Sequence, residues 1–438
     1  MIGNDLGIAL IYAAGLFLSL IFLCYPERPD RNFIRFSISF ICIFFIIPAI
    51  ISAQNTEFNY LGRVFSRYQS SWLLVGLSTW AFLAGFFLRG FLIRRLVKVF
   101  FFGKSEIDYN YTRQAIIEKK RVLFFIIFAV IARLLVWKIN PSAEEEYAVR
   151  TGIAAGSHLH VLLNIFFGSV YFAAIFMAAR LKLHLATTGL LLGLLIVTFT
   201  GSTGRFNAAL AVMMFSIYFF NLDVSKIALL FPFITISALP ILSSGKLLIF
   251  AISTGSPLPT LTEMFSKAIE LESYLNNFAH PMVSLYQIDR LLALSDIRWF
   301  YDFPQGLLFY TRALGFDSGP SLTYYNTEAF LGYKASIVPT GYLAFGFAQL
   351  SYFGVFVMGA FYRSLYYFFQ NMRYIRANLS PILSFYISFT TANTFYTGEF
   401  RTLILQFFLN IIIFNFCFWL TSKPRKKVLL PSRRCRPE

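Results

Sequence analysis

Residues 36–52 read FSISFICIFFIIPAIIS, an apolar run without a single Asp, Glu, Lys or Arg. A helix needs about 20 mostly apolar residues to cross the hydrocarbon core of a bilayer. Comparable runs recur along the chain, separated by polar segments. We therefore predict an all-α, polytopic integral membrane bundle of about eleven, and at most about thirteen, transmembrane helices. The predicted spans are 6–24, 36–52, 72–88, 122–137, 160–179, 183–199, 206–222, 227–242, 341–362, 379–396 and 402–421.

The composition excludes the main alternatives to a membrane protein. Only 13% of the 438 residues are charged, against about 25% in an ordinary soluble domain. Hydrophobic residues make up 57% of the chain, and Phe alone occurs 54 times. A soluble enzyme, a disordered chain and a disulfide scaffold are all excluded. The spacing and predicted locations of the four cysteines indicate neither a disulfide nor a zinc site.

The excess of positive charge orients the predicted spans. The chain carries 38 Lys and Arg against 21 Asp and Glu, a formal net charge of +17. Basic residues concentrate in 89–121 and in the tail 422–438, and cytoplasmic loops are enriched in such residues. We therefore predict one integral membrane domain, 1–438, with its N-terminus outside and its basic tail inside. Nucleic acid is not an expected partner, because no binding motif accompanies the charge. The same alternation places inside Arg28, Arg31, Arg35, Lys226 and Arg363.

The longest segment between predicted spans, 243–340, falls on the extracytoplasmic side. Two of its stretches, 262–279 and 282–298, carry apolar residues at helical spacing and are separated by Pro281. We expect their apolar faces to lie on the membrane surface or against the bundle. The next apolar run, 336–369, is too long for one straight span and contains several glycines. It favours a re-entrant piece leading into a span, since broken helices occur where they line a cavity.

A Gly/Ser/Thr turn, 200–205, opens the seventh predicted span at its outer end. The free N–H groups and positive dipole of a helix N-terminus attract anions. Arg205 adds a guanidinium that can bind phosphate in a bidentate manner, and Ser202, Thr203 and Gly204 would complete the binding turn. The alternative is that Arg205 simply extends its charge to the membrane interface.

A second turn, 397–401, opens the last predicted span, also at the outer face. It ends with Arg401, so both turns could bind one pyrophosphate at the level of the outer headgroups. Glu399 is a candidate general base, although pairing with Arg401 is the favoured role.

Further candidates lie in 243–340. Arg290, Arg298, Arg312 and Lys334 supply positive charge among several tyrosines, which suits a phosphate-linked glycan. His280 could accept a proton from a sugar hydroxyl near neutral pH. The simpler interpretation makes His280 a turn residue before Pro281. The chain contains no Walker loop, dinucleotide fingerprint, HExxH or GxSxG motif.

The order of these motifs resembles that of the oligosaccharide repeat-unit polymerases, the Wzy-type O-antigen or capsule polymerases. The resemblance covers about residues 190–410. It rests on Gly201-Ser-Thr-Gly-Arg205, Asp289-Arg290, Phe303-Pro-Gln-Gly306, Ser336-Ile-Val-Pro-Thr-Gly341, Tyr352-Phe-Gly354 and Arg401. Members of the family often carry a Glu shortly after the Pro-Thr-Gly, whereas residues 342–349 contain no acid here.

The resemblance implies a reaction at the periplasmic face of the bacterial plasma (inner) membrane. A growing glycan would pass from undecaprenyl pyrophosphate to the non-reducing end of a new undecaprenyl-pyrophosphate-linked repeat unit. Arg205 and Arg401 would hold the donor pyrophosphate, Arg290 would face a donor or acceptor phosphate, and His280 or Glu399 would take the hydroxyl proton. Arg298, Arg312 and Lys334 would be weaker substrate contacts. Neither a metal nor another cofactor is implied.

The resemblance also suggests a flippase and a chain-length regulator as partners, beside the bilayer itself. Two other functions remain open at this point. An O-antigen ligase would share the outer arginines and differ only in its acceptor. A lipid-linked oligosaccharide flippase or other transporter would more typically show charges near mid-membrane and two matching halves.

Overall fold

The computed structural model is mostly helical and confirms the predicted helical class. It describes 2–28, 30–55, 57–60, 63–66, 71–88, 116–117, 119–139, 222–235, 271–304, 321–333, 338–374, 381–398, 422–423 and a few single positions. We number the helices α1 (Ile2–Cys24), α2 (Arg31–Ile41), α3 (Ile47–Gln54), α4 (Trp72–Phe87), α5 (Lys119–Ile139), α6 (Val224–Thr235), α7 (Leu271–Phe278), α8 (His280–Tyr286), α9 (Ile288–Ser295), α10 (Leu322–Leu331), α11 (Gly341–Tyr374) and α12 (Pro381–Asn393). Two small antiparallel pairs accompany them, β1 (Glu57–Tyr60) with β2 (Arg63–Ser66), and β3 (Ile116–Ile117) with β4 (Ser422–Lys423).

Three helices of the described part are long and apolar enough to cross a membrane. By length and composition they are Gly3–Cys24, Arg31–Gln54 and Gly341–Phe369, which overlap the predicted spans 6–24, 36–52 and 341–362, and the third is interrupted by a backbone reversal at Leu350 and Ser351. The apolar helices α4 and α6 are shorter. The predicted spans 160–179, 183–199, 206–222 and 402–421 lie outside the described residues apart from single positions, so the count of eleven stays a prediction.

The helix Arg31–Gln54 contains one irregular turn. Residues Cys42–Ile46 between α2 and α3 are π-helical. A π-helix bonds each N–H to the carbonyl five residues back and often occurs at functional sites. In this turn the Ile43 carbonyl also accepts a 2.7 Å hydrogen bond from the Tyr274 hydroxyl of α7. The irregular turn thereby holds α7 against the middle of the long helix.

α11 is two helical arms, 341–349 and 352–374, folded back on one another. The backbone leaves the helical region at Leu350 (φ −158°, ψ 47°) and Ser351 (φ 51°, ψ −144°). A straight helix would put Tyr342 and Tyr362 about 30 Å apart, yet their rings lie 5.1 Å apart. This reversal confirms the predicted interruption of the apolar run 336–369.

The described polar segments gather at the two ends of the helix Arg31–Gln54. At its start, the Arg31 guanidinium donates to the Ser225 hydroxyl at 2.9 Å. Beyond its other end, Arg63 of the β1–β2 hairpin donates to the Ala329 carbonyl of α10 at 3.2 Å. The charge distribution assigns the segments at the start of this helix to the cytoplasmic side of the membrane. It assigns the hairpin and α10, beyond the other end, to the extracytoplasmic side. At about 1.5 Å per residue, Arg31–Gln54 is long enough to separate the two groups across a bilayer core.

Candidate functional site

Three segments that are distant in sequence meet inside the bundle, and we call their meeting point the junction. It consists of His280, Pro281, Gly341, Thr397 and Gly398. The Gly341 N–H donates to the Thr397 carbonyl at 3.3 Å, and the Pro281 ring lies against the Gly341 α-carbon. Gly341 (φ 71°) and Gly398 (φ 64°) adopt left-handed backbone conformations that favour glycine. A Cβ on Gly398 would collide with the Gly341 backbone, and a Cβ on Gly341 would collide with Pro281, so both glycines are needed for this approach.

His280 begins α8, where Pro281 occupies the first turn. The residue is 9% exposed and packs edge-on against the rings of Phe44 (5.9 Å) and Tyr396 (5.7 Å). Its Nε2 lies 3.2 Å from the Tyr396 carbonyl oxygen. Since a carbonyl only accepts, Nε2 carries the proton, and Nδ1 of the neutral ring is left as an acceptor.

Burial lowers the pKa of His280 to about 4, although the hydrogen bond to the Tyr396 carbonyl acts in the opposite direction. The imidazole is therefore neutral at neutral pH. Such a ring can accept a hydrogen bond at Nδ1, but it is a weak general base.

The junction lies well inside the bundle. His280 contacts Phe44, and the stretch of helix from Phe44 to Gln54 is about 15 Å long. Every residue of α8 is buried, as are Ile288 and Leu291 of α9. The apolar faces predicted for 262–279 and 282–298 thus pack, where they are described, against the bundle. The sequence predicted His280 in the outer segment as a proton acceptor or a turn residue, and the structure encloses it among aromatic rings.

A buried polar network positions the segment before Gly341. The Asn326 side chain of α10 donates to the Ser284 hydroxyl at 3.0 Å and to the Val338 carbonyl at 2.8 Å. The Thr327 hydroxyl accepts from the Val338 N–H at 3.0 Å. The next turn is tied in by Tyr342, whose hydroxyl is 3.2 Å from that of Thr394. Sequence reasoning missed this network, and the available signal was an Asn-Thr pair inside an apolar stretch.

Two of the predicted cations lie in the described residues. Arg290 is exposed on α9, and the buried residues of that helix are Ile288 and Leu291. The Arg298 Nε instead pairs with Asp302 at 2.6 Å. The Asp302 side chain is almost fully buried, so its negative charge requires the Arg298 guanidinium as a partner. Arg298 therefore neutralises Asp302 and does not act mainly as a ligand-binding residue.

The pair formed by Arg298 and Asp302 braces the reversal in α11. The Gln349 amide donates to the same Asp302 oxygen at 2.6 Å, and the Arg298 and Trp299 N–H groups donate to the Ala348 and Gln349 carbonyls at 3.0 and 3.1 Å. These bonds satisfy the last carbonyls of the arm 341–349, which would otherwise lack partners. Asp302 was not among the predicted site residues, although its position four after Arg298 was the available signal.

The remaining predicted site residues lie outside the described part of the chain. They are Arg205, Arg401, Glu399, Ser202, Thr203, Gly204, Arg312 and Lys334. Within the described residues, no group of three or more His, Cys, Asp or Glu side chains could hold a metal ion.

A second buried polar cluster lies near the start of the helix Arg31–Gln54. Arg363 of α11 pairs with Asp30 at 3.1 Å and also donates to the Phe86 carbonyl at 3.0 Å. The Tyr367 hydroxyl donates to the same Asp30 oxygen at 2.9 Å. Sequence reasoning placed Arg363 with the inner basic residues but did not identify its partner.

Comparison of the chain with protein-family models, curated proteins and solved structures gives no match.

Proposed function

We propose that the protein is a membrane-embedded glycosyltransferase that polymerises lipid-linked oligosaccharide repeat units of an O-antigen or a similar surface polysaccharide. One observation carries the proposal. The end of the Ser336–Gly341 motif meets His280 and the Thr397–Gly398 turn at the junction. The sequence singled out His280, the Ser336–Gly341 motif and the turn 397–401 independently of one another. Their contact in the fold is expected if they form one site, and is not expected if each segment only lies at the membrane interface.

The turn at the junction leads directly to the proposed phosphate ligand. Glu399 follows Gly398, and Arg401 stands three residues beyond it. Three residues of chain span at most about 11 Å, so Arg401 begins within reach of the junction. Arg205 would bring the second guanidinium from the turn 200–205.

The proposed reaction is a displacement at the anomeric carbon of the growing glycan. The bond from that carbon to the pyrophosphate oxygen breaks, and a bond to the acceptor hydroxyl oxygen forms. The hydroxyl proton passes to a base, either Glu399 or Nδ1 of His280, and undecaprenyl pyrophosphate leaves. Because the leaving group is already activated, the protein mainly positions the two substrates and stabilises charge on the pyrophosphate. The low pKa of His280 favours Glu399 as the base.

We infer that this reaction occurs at the periplasmic face of the bacterial plasma membrane. The gathering of polar segments at the two ends of the helix Arg31–Gln54 supports this topology, since basic residues accumulate at one end. A flippase would supply the lipid-linked unit, and a chain-length regulator would act on the growing polymer.

The experiment that tests the function is deletion of the gene in its host, followed by gel separation of the surface glycan. A polymerase deletion leaves a single repeat unit on the lipid core and removes the ladder. Plasmid-borne wild type should restore the ladder, whereas Arg205→Ala and Arg401→Ala should not, at equal protein level. Lys120→Ala is the matched control, because Lys120 is an exposed cation on α5 that has no part in the proposed reaction.

Other outcomes identify other functions. Polymerised glycan left on its lipid carrier at the outer face would indicate a ligase. A lipid-linked unit held at the inner face would indicate a transporter. A normal ladder with both arginine variants would overturn the site assignment even if the deletion phenotype is that of a polymerase.

A further inference from the structure

A group of cations lies where α1, α2 and α6 meet, and we call it the basic cluster. It consists of Arg28, Arg31, Arg35 and Lys226. Arg31 and Arg35 stand one turn apart on α2, and Arg31 donates to the Ser225 hydroxyl at 2.9 Å, which brings α6 and Lys226 to the same place. Arg28 precedes α2 in the exposed connection from α1. None of these side chains belongs to the proposed reaction, and the cluster does not depend on it.

The neighbouring carboxylates leave this charge largely uncompensated. Asp30 lies between Arg28 and Arg31 in sequence, but its carboxylate serves Arg363 and Tyr367. Glu27 pairs with Arg31 at 2.7 Å, yet the Glu27 side chain is 86% exposed, and such pairs contribute little. Asp223 accepts from the Ser225 N–H. Within the described residues, the cations of the cluster therefore outnumber the carboxylates that are available to neutralise them.

Arg35 is the most enclosed member of the cluster. The residue is 9% exposed, and its Nε donates to the Phe22 carbonyl of α1 at 3.4 Å. Among the described residues its two terminal nitrogens have no protein acceptor, and they are not among the fully buried side-chain atoms that lack a partner, so they remain accessible to an anion. Arginines four residues apart on a helix repel one another, and enclosing a cation is costly unless an anion accompanies it. The arrangement calls for an anion.

The surroundings of the cluster indicate what kind of anion it is. Residues 36–54 carry no charge, so Arg31 and Arg35 mark the end of an apolar helix long enough to span a membrane. The last turn of α1 contacts Arg35 through the Phe22 carbonyl. The leucines Leu16, Leu20 and Leu23 form an exposed apolar stripe on the side of α1 opposite its buried residues. A phosphate at the cluster would therefore lie at the end of a helix whose outer face suits acyl chains.

We propose that the basic cluster binds the phosphate of an anionic phospholipid, with Arg35 as its main ligand. Arginine forms paired hydrogen bonds with phosphate oxygens, and basic pockets between membrane helices on the cytoplasmic side bind anionic headgroups. The bound lipid would neutralise α2 where it meets α1 and α6, and would tie these helices together at one leaflet.

The test uses the full-length protein in detergent, with phosphatidylglycerol or phosphatidylcholine added over a range of concentrations. Bound lipid is counted by native mass spectrometry, and the thermal unfolding midpoint is followed in parallel. Phosphatidylglycerol should bind at least about tenfold more tightly than phosphatidylcholine and raise the midpoint. Arg35→Gln should lose most of this preference, whereas Arg35→Lys should keep part of it because the charge remains.

Lys120→Gln, which removes one exposed cation outside the cluster, should retain the wild-type preference. If Arg35→Gln fails to fold, the exposed pair Arg28→Gln and Lys226→Gln replaces it, with a smaller expected loss. Equal binding of the two lipids, or an unchanged preference in the cluster variants, would overturn the proposal. A midpoint shift produced equally by inorganic phosphate would show that the cluster binds free anions, not a lipid.

Discussion

Two polar residues of this bundle, His280 and Arg290, differ in how far they are buried. His280 and Arg290 are both polar residues of the same predicted outer segment, but His280 is enclosed by rings and Arg290 is exposed. Their chemical roles follow from these surroundings. The neutral His280 imidazole offers Nδ1 as an acceptor inside the bundle, whereas the exposed Arg290 guanidinium is open to phosphate.

The low pKa of His280 predicts an acid-labile fold. The group binds its proton more weakly in the folded protein, at a pKa of about 4, than in the unfolded chain, at about 6.5. Its contribution to stability is full above pH 6.5 and is lost progressively as the pH falls to about 4. We expect the unfolding midpoint in detergent to drop over this window. His280→Gln, which can still donate to the Tyr396 carbonyl, should show a smaller drop, and an identical pH profile would contradict this assignment.

The buried pair of Asp30 and Arg363 predicts strong coupling. Asp30→Asn leaves the Arg363 charge without its partner and should cost about 3–5 kcal/mol of unfolding free energy. Arg363→Gln should cost a similar amount. In the double variant no buried charge is left unpaired, so its loss should be well below the sum of the two. Denaturant titration of the four proteins measures the coupling, and additive losses would show that the pair acts as two separate residues.

Residue types were easier to predict than their partners. The sequence singles out both Arg290 and Arg298 as cations among aromatics, with Arg298 as the weaker candidate. Only the fold shows that Asp302 is buried beside Arg298 and claims its guanidinium. Asn326 was not singled out at all, since its role depends on contact with Ser284 from a different helix.

At the scale of elements, the reversal in α11 depends on two glycines. A Cβ on Gly354 would press into the Gly346 carbonyl group, which belongs to the opposite arm and cannot move aside as a side chain would. We expect Gly354→Ala to push the arms apart and to cost about 1–3 kcal/mol of unfolding free energy. Polymer length should also shorten, because the arm 341–349 begins at the junction.

Gly3→Ala is the matched control for this variant. A Cβ on Gly3 would be 3.9 Å from the nearest atom, Leu73 Cδ2, which is an ordinary contact. Its unfolding midpoint should stay close to that of the wild type. If Gly354→Ala is equally stable, the two arms do not pack through their glycines in the membrane.

Within the described residues, the positions of the long apolar helices were predictable because apolar runs of the required length have few alternatives in a bilayer. The break in 336–369 was also predictable from its excess length and its glycines. The location of the sharp reversal was not, since Leu350 and Ser351 carry no Gly or Pro signal. The π-helical turn at Cys42–Ile46 does have a signal in the sequence, because Pro48 just beyond it has no N–H to donate to the carbonyl four residues earlier.

At the scale of the whole molecule, the proposed topology predicts which residues react from outside the cell membrane. We would replace the four native cysteines by Ser and introduce one cysteine at a time. Val64→Cys, 64% exposed on the β1–β2 hairpin, should react with a membrane-impermeant maleimide in intact spheroplasts. Glu27→Cys, at an 86% exposed side chain, should react only after permeabilisation. The reverse pattern would show that the β1–β2 hairpin faces the cytoplasm and would contradict the proposed topology.

The meeting of His280, Gly341 and Thr397 could not be predicted from the sequence, because nothing local joins residues so far apart along the chain. Sequence reasoning could assign these segments to one leaflet by counting spans. It could not predict that α8 enters the bundle beside the middle of another helix, since the alternation of apolar residues on α8 fits a membrane surface equally well.

The π-helical turn at Cys42–Ile46 has a consequence for how this chain tolerates deletions. Such a turn holds one residue more than the α-helical turn it replaces, and each residue of an α-helix advances the chain by about 100°. Removing one residue there would restore a regular α-helical turn, and since both kinds of turn make about one full revolution, the helix beyond would keep nearly the same orientation. The buried Ala49 and Ser52 of α3 would stay packed, whereas a deletion within α3 would rotate all that follows by about 100°. The extra residue thus makes this turn the place where the transmembrane rod can absorb a deletion.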